Sequence, residues 1–161
     1  MVQGMDIVPE PVDRVRDIRG LVVPRFGAVV STDAPDLPWR VVSLPVPEDR
    51  RVIDDFLRDL TASDCSPATN RSYAYDLLRW WRFLAAVDRH WSRARREDVR
   101  DLVLWLRQAR AGFGFAPATI DHQLSVLAVF YDFLVSRGQG PVMNPVPTVG
   151  TDPRRYAGSS L

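Results

Sequence analysis

Hydrophobic residues recur at helical spacing in four stretches of the chain, the first of which starts near residue 50. The pattern predicts helices over about 50–62, 67–87, 96–110 and 117–137. In the second stretch Tyr73, Leu77 and Leu84 fall on one side, and in the fourth Leu124 and Leu127 do the same. We therefore predict an all-α fold, a compact bundle of four main helices arranged as two helical hairpins.

The second and fourth helices begin with nearly the same sequence, fifty residues apart. Ser66 to Leu84 and Ala116 to Leu134 share Pro-Ala-Thr at the start, a leucine ten residues after the proline, an aromatic pair and a final Phe-Leu. Ser66 is a favoured N-cap, and a proline at the first helical position loses no hydrogen bond. Helical repeats need several copies to stack into a solenoid, so two unequal copies indicate a compact bundle.

Residues 1–47 lack this periodicity and contain seven of the 13 prolines. Short β-branched runs lie between the prolines, which is typical of extended segments or edge strands. We predict an irregular, partly extended N-terminal arm, for which a small hairpin is one possible form. Trp39 and the valine runs are residues that are usually buried, which favours a partly ordered strap that closes over the bundle. An arm that contacts DNA and a disordered segment are the alternatives. The predicted domains are a Pro-rich extension over 1–47, a helical domain over 48–146 and a C-terminal linker over 147–161.

The overall charge gives no signal for nucleic acid, since the formal net charge is only +1. All 21 basic residues are arginines, whose guanidinium groups bind phosphate and guanine in a bidentate manner. Many of them alternate with acidic residues, so we expect half or more to form surface ion pairs. Asp54, Asp55 and Asp59 are interpreted as a solvated face of the first helix.

The remaining features of the composition predict a cytoplasmic protein. The single cysteine, Cys65, excludes an internal disulfide and fits a reducing compartment. No apolar stretch is long enough to span a bilayer, and the N-terminus lacks the pattern of a signal peptide. We expect no metal, no cofactor, no small-molecule substrate and no membrane partner.

Several short motifs follow one another in a specific order between residues 50 and 146. They are Phe56 to Leu60, Ser66 to Tyr73, Asp98 to Asp101, Ala116 to Ile120, Phe130 to Leu134 and the exit Asn144-Pro145. This region resembles the N-terminal core-binding (SAM-like) domain of tyrosine recombinases, the phage integrase family. The resemblance implies a small helical bundle that forms half of a clamp around double-stranded DNA, with its second and fourth helices across the major groove at a recombination half-site. It also implies contacts with neighbouring protomers on DNA.

The candidate DNA-binding residues lie at the starts of these two helices. They are Ser66, Thr69, Asn70, Arg71, Thr119, His122 and Gln123. Unpaired N–H groups at a helix start attract phosphate, and a helix in the major groove presents its first turns to the bases. Arg71 suits guanine or phosphate, and Asn70 and Gln123 have the amide geometry for adenine. His122 is either a DNA-facing donor or an exposed residue without a role.

The resemblance implies that strand exchange needs a tyrosine, two arginines, a lysine and histidines in a C-terminal catalytic domain. The chain contains no lysine, and Tyr156 has no catalytic neighbours in the sequence. We therefore expect the DNA-binding module of a recombinase without its catalytic half, and not an enzyme. A helical protein–protein module and a degenerate integrase fragment are the alternatives. Steep salt dependence would distinguish DNA binding from an apolar protein interface.

Overall fold

The computed structural model describes residues 16–109 and 114–147 of the chain. Its elements, in chain order, are β1 (Ala28–Ser31), β2 (Trp39–Val42), α1 (Asp49–Ala62), α2 (Pro67–Ala86), a 3-10 turn (Trp91–Arg93), α3 (Arg96–Leu106) and α4 (Pro117–Ser136). The helices agree with the predicted ranges to within one residue at each end, except that α3 ends four residues early. Within these residues no helix combines the length and the apolarity needed to cross a membrane. Tyr156 and nearly all of the predicted linker lie outside the described residues.

α2 and α4 pack side by side in the core and run in the same direction. Near their starts the Ser72 hydroxyl lies 3.3 Å from His122 Nε2, and further along Trp80 Nε1 donates to Tyr131 Oη at 2.9 Å. These pairs join residues 50 and 51 positions apart, which is the period of the sequence repeat. The repeat therefore corresponds to a parallel helix pair, and both Pro-Ala-Thr starts lie at the same end of it.

Aromatic side chains fill the core between these helices, as their helical spacing predicts. Trp80, Phe83, Phe130 and Tyr131 are fully buried. The Tyr131 hydroxyl accepts from Trp80 and donates to the Trp91 carbonyl oxygen at 2.8 Å, so the polar atoms of both buried rings have partners. Burial raises the pKa of Tyr131 well above its ordinary value, which keeps the hydroxyl protonated and able to donate.

The N-terminal extension contains a two-stranded antiparallel sheet, so the all-α prediction is wrong in this detail and the fold is mostly helical. In the sheet Ala28 lies opposite Val42, and Ser31 lies opposite Trp39. Each strand has only four residues, and an isolated hairpin of this size is at best marginally stable in water. Fully buried Val41 joins the hairpin to the hydrophobic core, and both strands contact α2. The helices therefore supply the stability that the hairpin lacks.

Polar contacts fasten the extension to the helices. Arg40 donates to both carboxylate oxygens of Asp54 on α1, at 3.3 and 2.8 Å. Asp54 is buried by this contact instead of being solvated, which corrects the interpretation of that residue. On α2 Arg82 donates to the carbonyl oxygens of Phe26 and Gly27, at 2.6 and 3.1 Å. The described part of the extension thus lies as a strap along α1 and α2.

Candidate nucleic-acid interface

The starts of α2 and α4 present hydroxyl and backbone N–H groups at one end of the helix pair. Exposed Ser66 caps α2, since its Oγ accepts from the Thr69 N–H at 3.1 Å and lies 3.0 Å from Thr69 Oγ1. α4 begins at Pro117 after Ala116, which has no side-chain cap to offer. Thr119 is partly exposed, and its hydroxyl makes no hydrogen bond to any residue that the structure describes. Two helix starts with free donors at the same end favour an anionic partner.

Arg71 stands on α2 beside the hairpin and is exposed to solvent. Its guanidinium carbon lies 5.1 Å from the centroid of the Trp39 ring and 5.0 Å from that of Tyr75. These cation–π contacts restrict the guanidinium without neutralising it. Over residues 16–109 and 114–147 no carboxylate pairs with Arg71, so its full charge is available to phosphate or guanine.

A buried carboxylate connects the two helices behind this surface. Asp76 Oδ2 lies 2.5 Å from His122 Nδ1, and Asp76 Oδ1 accepts from Arg79 Nη1 at 3.0 Å. The His122 Nε2 atom, 3.3 Å from the Ser72 hydroxyl, points away from the carboxylate, and the side chain is 43% exposed. Both ring nitrogens of His122 therefore have internal partners, while the side chain as a whole is still partly exposed to solvent.

Two of the candidates are buried, which corrects the predictions for them. Asn70 is 0% exposed, and its amide accepts from the Trp39 N–H at 3.2 Å and donates to the Leu57 carbonyl oxygen at 3.1 Å. Gln123 is also 0% exposed and hydrogen-bonds at both ends of its amide with residues of α2, at 2.9 and 3.0 Å. Because protein groups occupy both amides, neither is available to read adenine.

The structure adds a row of α2 residues that the sequence-based candidates do not include. Tyr75, Arg79 and Arg82 follow Arg71 at intervals of four, four and three residues, which places all four on one side of the helix. This α2 stripe contacts the hairpin through Arg71 and reaches the start of α4 through Arg79. The helical spacing of these four residues is the signal in the sequence that could have identified the stripe. Surface arginines that form ion pairs show the same spacing, so the signal is not specific.

A buried acid near the start of α3 compensates two arginines, whereas two of the three arginines on α2 have no carboxylate partner among the described residues. Asp98 of α3 is 0% exposed and lies 2.5 Å from Arg16 Nη2 and 3.1 Å from Arg89 Nε. In the α2 stripe Arg71 and Arg82 have no carboxylate partner in the described part of the chain. The α2 stripe and the two helix starts therefore form a surface with donors and positive charge, to which exposed Asp121 near the start of α4 adds one negative charge.

Comparison with known proteins yields one finding. Residues 53–138, which are more than half of the chain, match the family model described as phage integrase, N-terminal SAM-like domain. The match contains α2, α3, α4 and most of α1, and it leaves out the strap. No curated protein and no solved structure matches the chain.

Proposed function

Since the chain belongs to the phage integrase family and contains its N-terminal SAM-like domain, we propose that it grips double-stranded DNA at a recombination half-site. Membership of the family gives the chain a role in DNA integration or recombination. The grip itself is our proposal, and the parallel placement of the two Pro-Ala-Thr helix starts is the observation that carries it. A duplex that meets this end of the bundle encounters both starts and Arg71 together.

The contacts divide into those that position the DNA and those that read it. Backbone N–H groups at the two helix starts, with the hydroxyls of Ser66, Thr69 and Thr119, suit phosphate oxygens. Arg71 is the residue best suited to a base, because its guanidinium fork is held in place by two rings and matches the O6 and N7 acceptors of guanine. The Nε2 atom of His122 adds a further polar contact next to Ser72.

We also propose that these 161 residues bind DNA without cutting it. The support is the absence of lysine from the sequence, because the resemblance implies a lysine among the catalytic residues. Neighbouring protomers of the recombinase on the same DNA are the second class of partner that we propose, and the resemblance is their support.

The proposal is tested by selecting bound duplexes from a random pool and titrating the enriched sequence at several salt concentrations. We expect steep salt dependence, with log K falling by about 0.9 for each phosphate contact per tenfold rise in salt. The double variant Arg71→Ala/Thr119→Ala should weaken binding by about 1–3 kcal/mol, which is roughly 5- to 150-fold.

The matched control is Arg96→Gln, which removes one exposed positive charge from the first turn of α3. It should bind nearly as wild type, because Arg96 lies on neither helix start. Circular dichroism verifies that each variant is folded. Unchanged binding by the folded double variant would remove these residues from the interface, and no binding by wild type at low salt would favour the helical protein–protein module.

A further inference from the structure

A groove of about 700 Å³ lies between the strap, α2 and the chain around Trp105 and Phe115. Its volume falls in the range of cavities that hold small ligands or short segments of a larger one. Arg25 from the strap and Arg79 and Arg82 from α2 line it, and none of the described residues that line it is acidic. Arg79 and Arg82 lie inside the range that matches the family model, whereas Arg25 and the other strap residues lie outside it, so the family relationship does not account for the strap's part of this arginine groove.

The positive charge in the groove is only partly neutralised. Arg82 donates to neutral backbone carbonyl oxygens, and Arg25 is exposed with no ion pair to any described residue. Only Arg79 has a carboxylate partner, Asp76, which it shares with His122. The three arginines line the same groove, and burial and then the positive charges of Arg25 and Arg79 lower the pKa of Arg82. An anion in the groove would relieve this repulsion.

Aromatic rings accompany the arginines. The guanidinium carbon of Arg79 lies 4.8 Å from the centroid of the Phe115 ring, and Tyr75 and Trp105 also line the groove with partly exposed side chains. Arginines interleaved with exposed rings are typical of proteins that bind a single strand, in which the cations meet phosphates. The bases of a duplex are paired, so with a duplex the arginines carry the contact and the rings hold the guanidinium groups in place. Tyr75, Arg79 and Arg82 also belong to the α2 stripe, so the groove continues the surface that begins at Arg71.

We propose that the arginine groove binds the phosphodiester backbone of a nucleic-acid strand, and that the strap takes part in this contact through Arg25. The strand that reaches the groove is the continuation of the duplex held at the two helix starts, and in this respect the inference rests on the proposed function. The groove is continuous with Arg71 through the α2 stripe. This continuity favours a nucleic acid, whose phosphates would contact the whole stripe, over an acidic protein segment.

The first experiment needs no half-site. Tetrathymidylate, a short single strand, is titrated into the protein while the side-chain Nε–H signals of arginine are followed by NMR. We expect the signals of Arg25, Arg79 and Arg82 to shift, and Arg25→Gln to weaken the affinity at least threefold. Arg96→Gln, with the same change of charge on α3, should bind as wild type.

Two further titrations identify the ligand in the groove. If the groove binds several phosphates of one strand, thymidine 5′-monophosphate should bind more weakly than tetrathymidylate. Equal affinity would overturn the inference and identify a free nucleotide as the ligand. Hexaglutamate should compete poorly, and tighter binding of this peptide would overturn the inference in favour of an acidic protein partner. Absence of shifts at the three arginines with tetrathymidylate would overturn it as well.

A second experiment separates this inference from the proposed function. The selected duplex is prepared at its minimal length and with a flanking extension, and both are titrated with wild type and Arg25→Gln. We expect Arg25→Gln to lower the affinity for the extended duplex only and to reduce its salt slope by about 1. Identical curves for both proteins would refute the groove contact while the helix starts still bind. If tetrathymidylate shifts the NMR signals of the three arginines but the protein binds no duplex, the proposed function would be refuted and the groove inference would stand.

Discussion

Replacement of Asn70 by alanine separates a structural role from a DNA-binding role at the start of α2. The Asn70 amide is fully buried and joins three elements, because it accepts from the Trp39 N–H of β2 and donates to the Leu57 carbonyl oxygen of α1. Its loss should release the hairpin from the two helices. The variant therefore reports on how strongly the strap is fixed.

The expected magnitude follows from these two hydrogen bonds. Each contributes about 1 kcal/mol net, and an N–H group left without a partner costs about 1–3 kcal/mol when buried, with the lower end applying to the half-buried Trp39 N–H. The Leu57 carbonyl oxygen also accepts from the Thr61 hydroxyl at 3.1 Å, so only the Trp39 N–H is left unsatisfied. We expect Asn70→Ala to lower the free energy of unfolding by about 2–4 kcal/mol.

Urea unfolding followed by circular dichroism measures this loss, and anisotropy at low urea measures duplex binding by the folded protein. The neighbouring variant Thr69→Ala is the matched control, because Thr69 is partly exposed and its hydroxyl contacts only Ser66. Asn70→Ala should lower stability and keep the affinity, whereas Thr69→Ala should lower the affinity and keep stability within about 1 kcal/mol. A folded Asn70→Ala protein of wild-type stability that binds DNA more weakly would refute the reasoning and return Asn70 to the interface.

Two further predictions concern the tyrosines of the core. Tyr131→Phe leaves the Trp80 N–H and the Trp91 carbonyl oxygen without their buried partner, so urea unfolding should show a loss of about 2 kcal/mol. Tyr73→Phe, whose hydroxyl bonds to none of the described residues, should lose less than half of that. Because burial raises the pKa of Tyr131, the unfolded chain loses this proton first, and stability should fall as pH rises above about 10, by up to about 1.4 kcal/mol per pH unit. Burial also raises the pKa of the partly exposed Tyr73, which acts in the same direction. Urea titrations between about pH 8 and 11 should show a shallower fall for Tyr131→Phe than for wild type, and equal slopes would contradict this assignment.

The helices were accessible from sequence because their signals are local. The hydrophobic spacing and the proline at the first position of α2 and α4 lie within single segments, and the structure begins both helices at those prolines. The hairpin has no comparable signal, since strands of four residues between prolines resemble any extended segment. Its pairing depends on helices that follow it in the chain.

The errors in the candidate site have a common cause, which is that polar residues were assumed to face solvent. Asn70 and Gln123 are buried and have partners far away in sequence, such as the Trp39 N–H, 31 positions from Asn70. The interpretation of Asp54, which lies outside the candidate site, was wrong for the same reason. An amide side chain can stabilise the fold when it is buried with both ends hydrogen-bonded, or bind a base when it is exposed. The local sequence does not distinguish these two cases. Arg71 has no such partner among the described residues and is exposed, as the role proposed for it requires.

The contacts of Asp76 with His122 and Arg79, together with the amide of Gln123, hold the two helix starts at a fixed separation. In the proposed complex, the separation of the two helix starts is therefore set before DNA binds. A duplex with a different groove width must deform to fit, and the energy of that deformation depends on the stiffness of base steps that no side chain touches. In the proposed complex, the selection of DNA sites would therefore include indirect readout of DNA shape. The hydrogen bonds of Asp76 and Gln123 between the two helices would impose it.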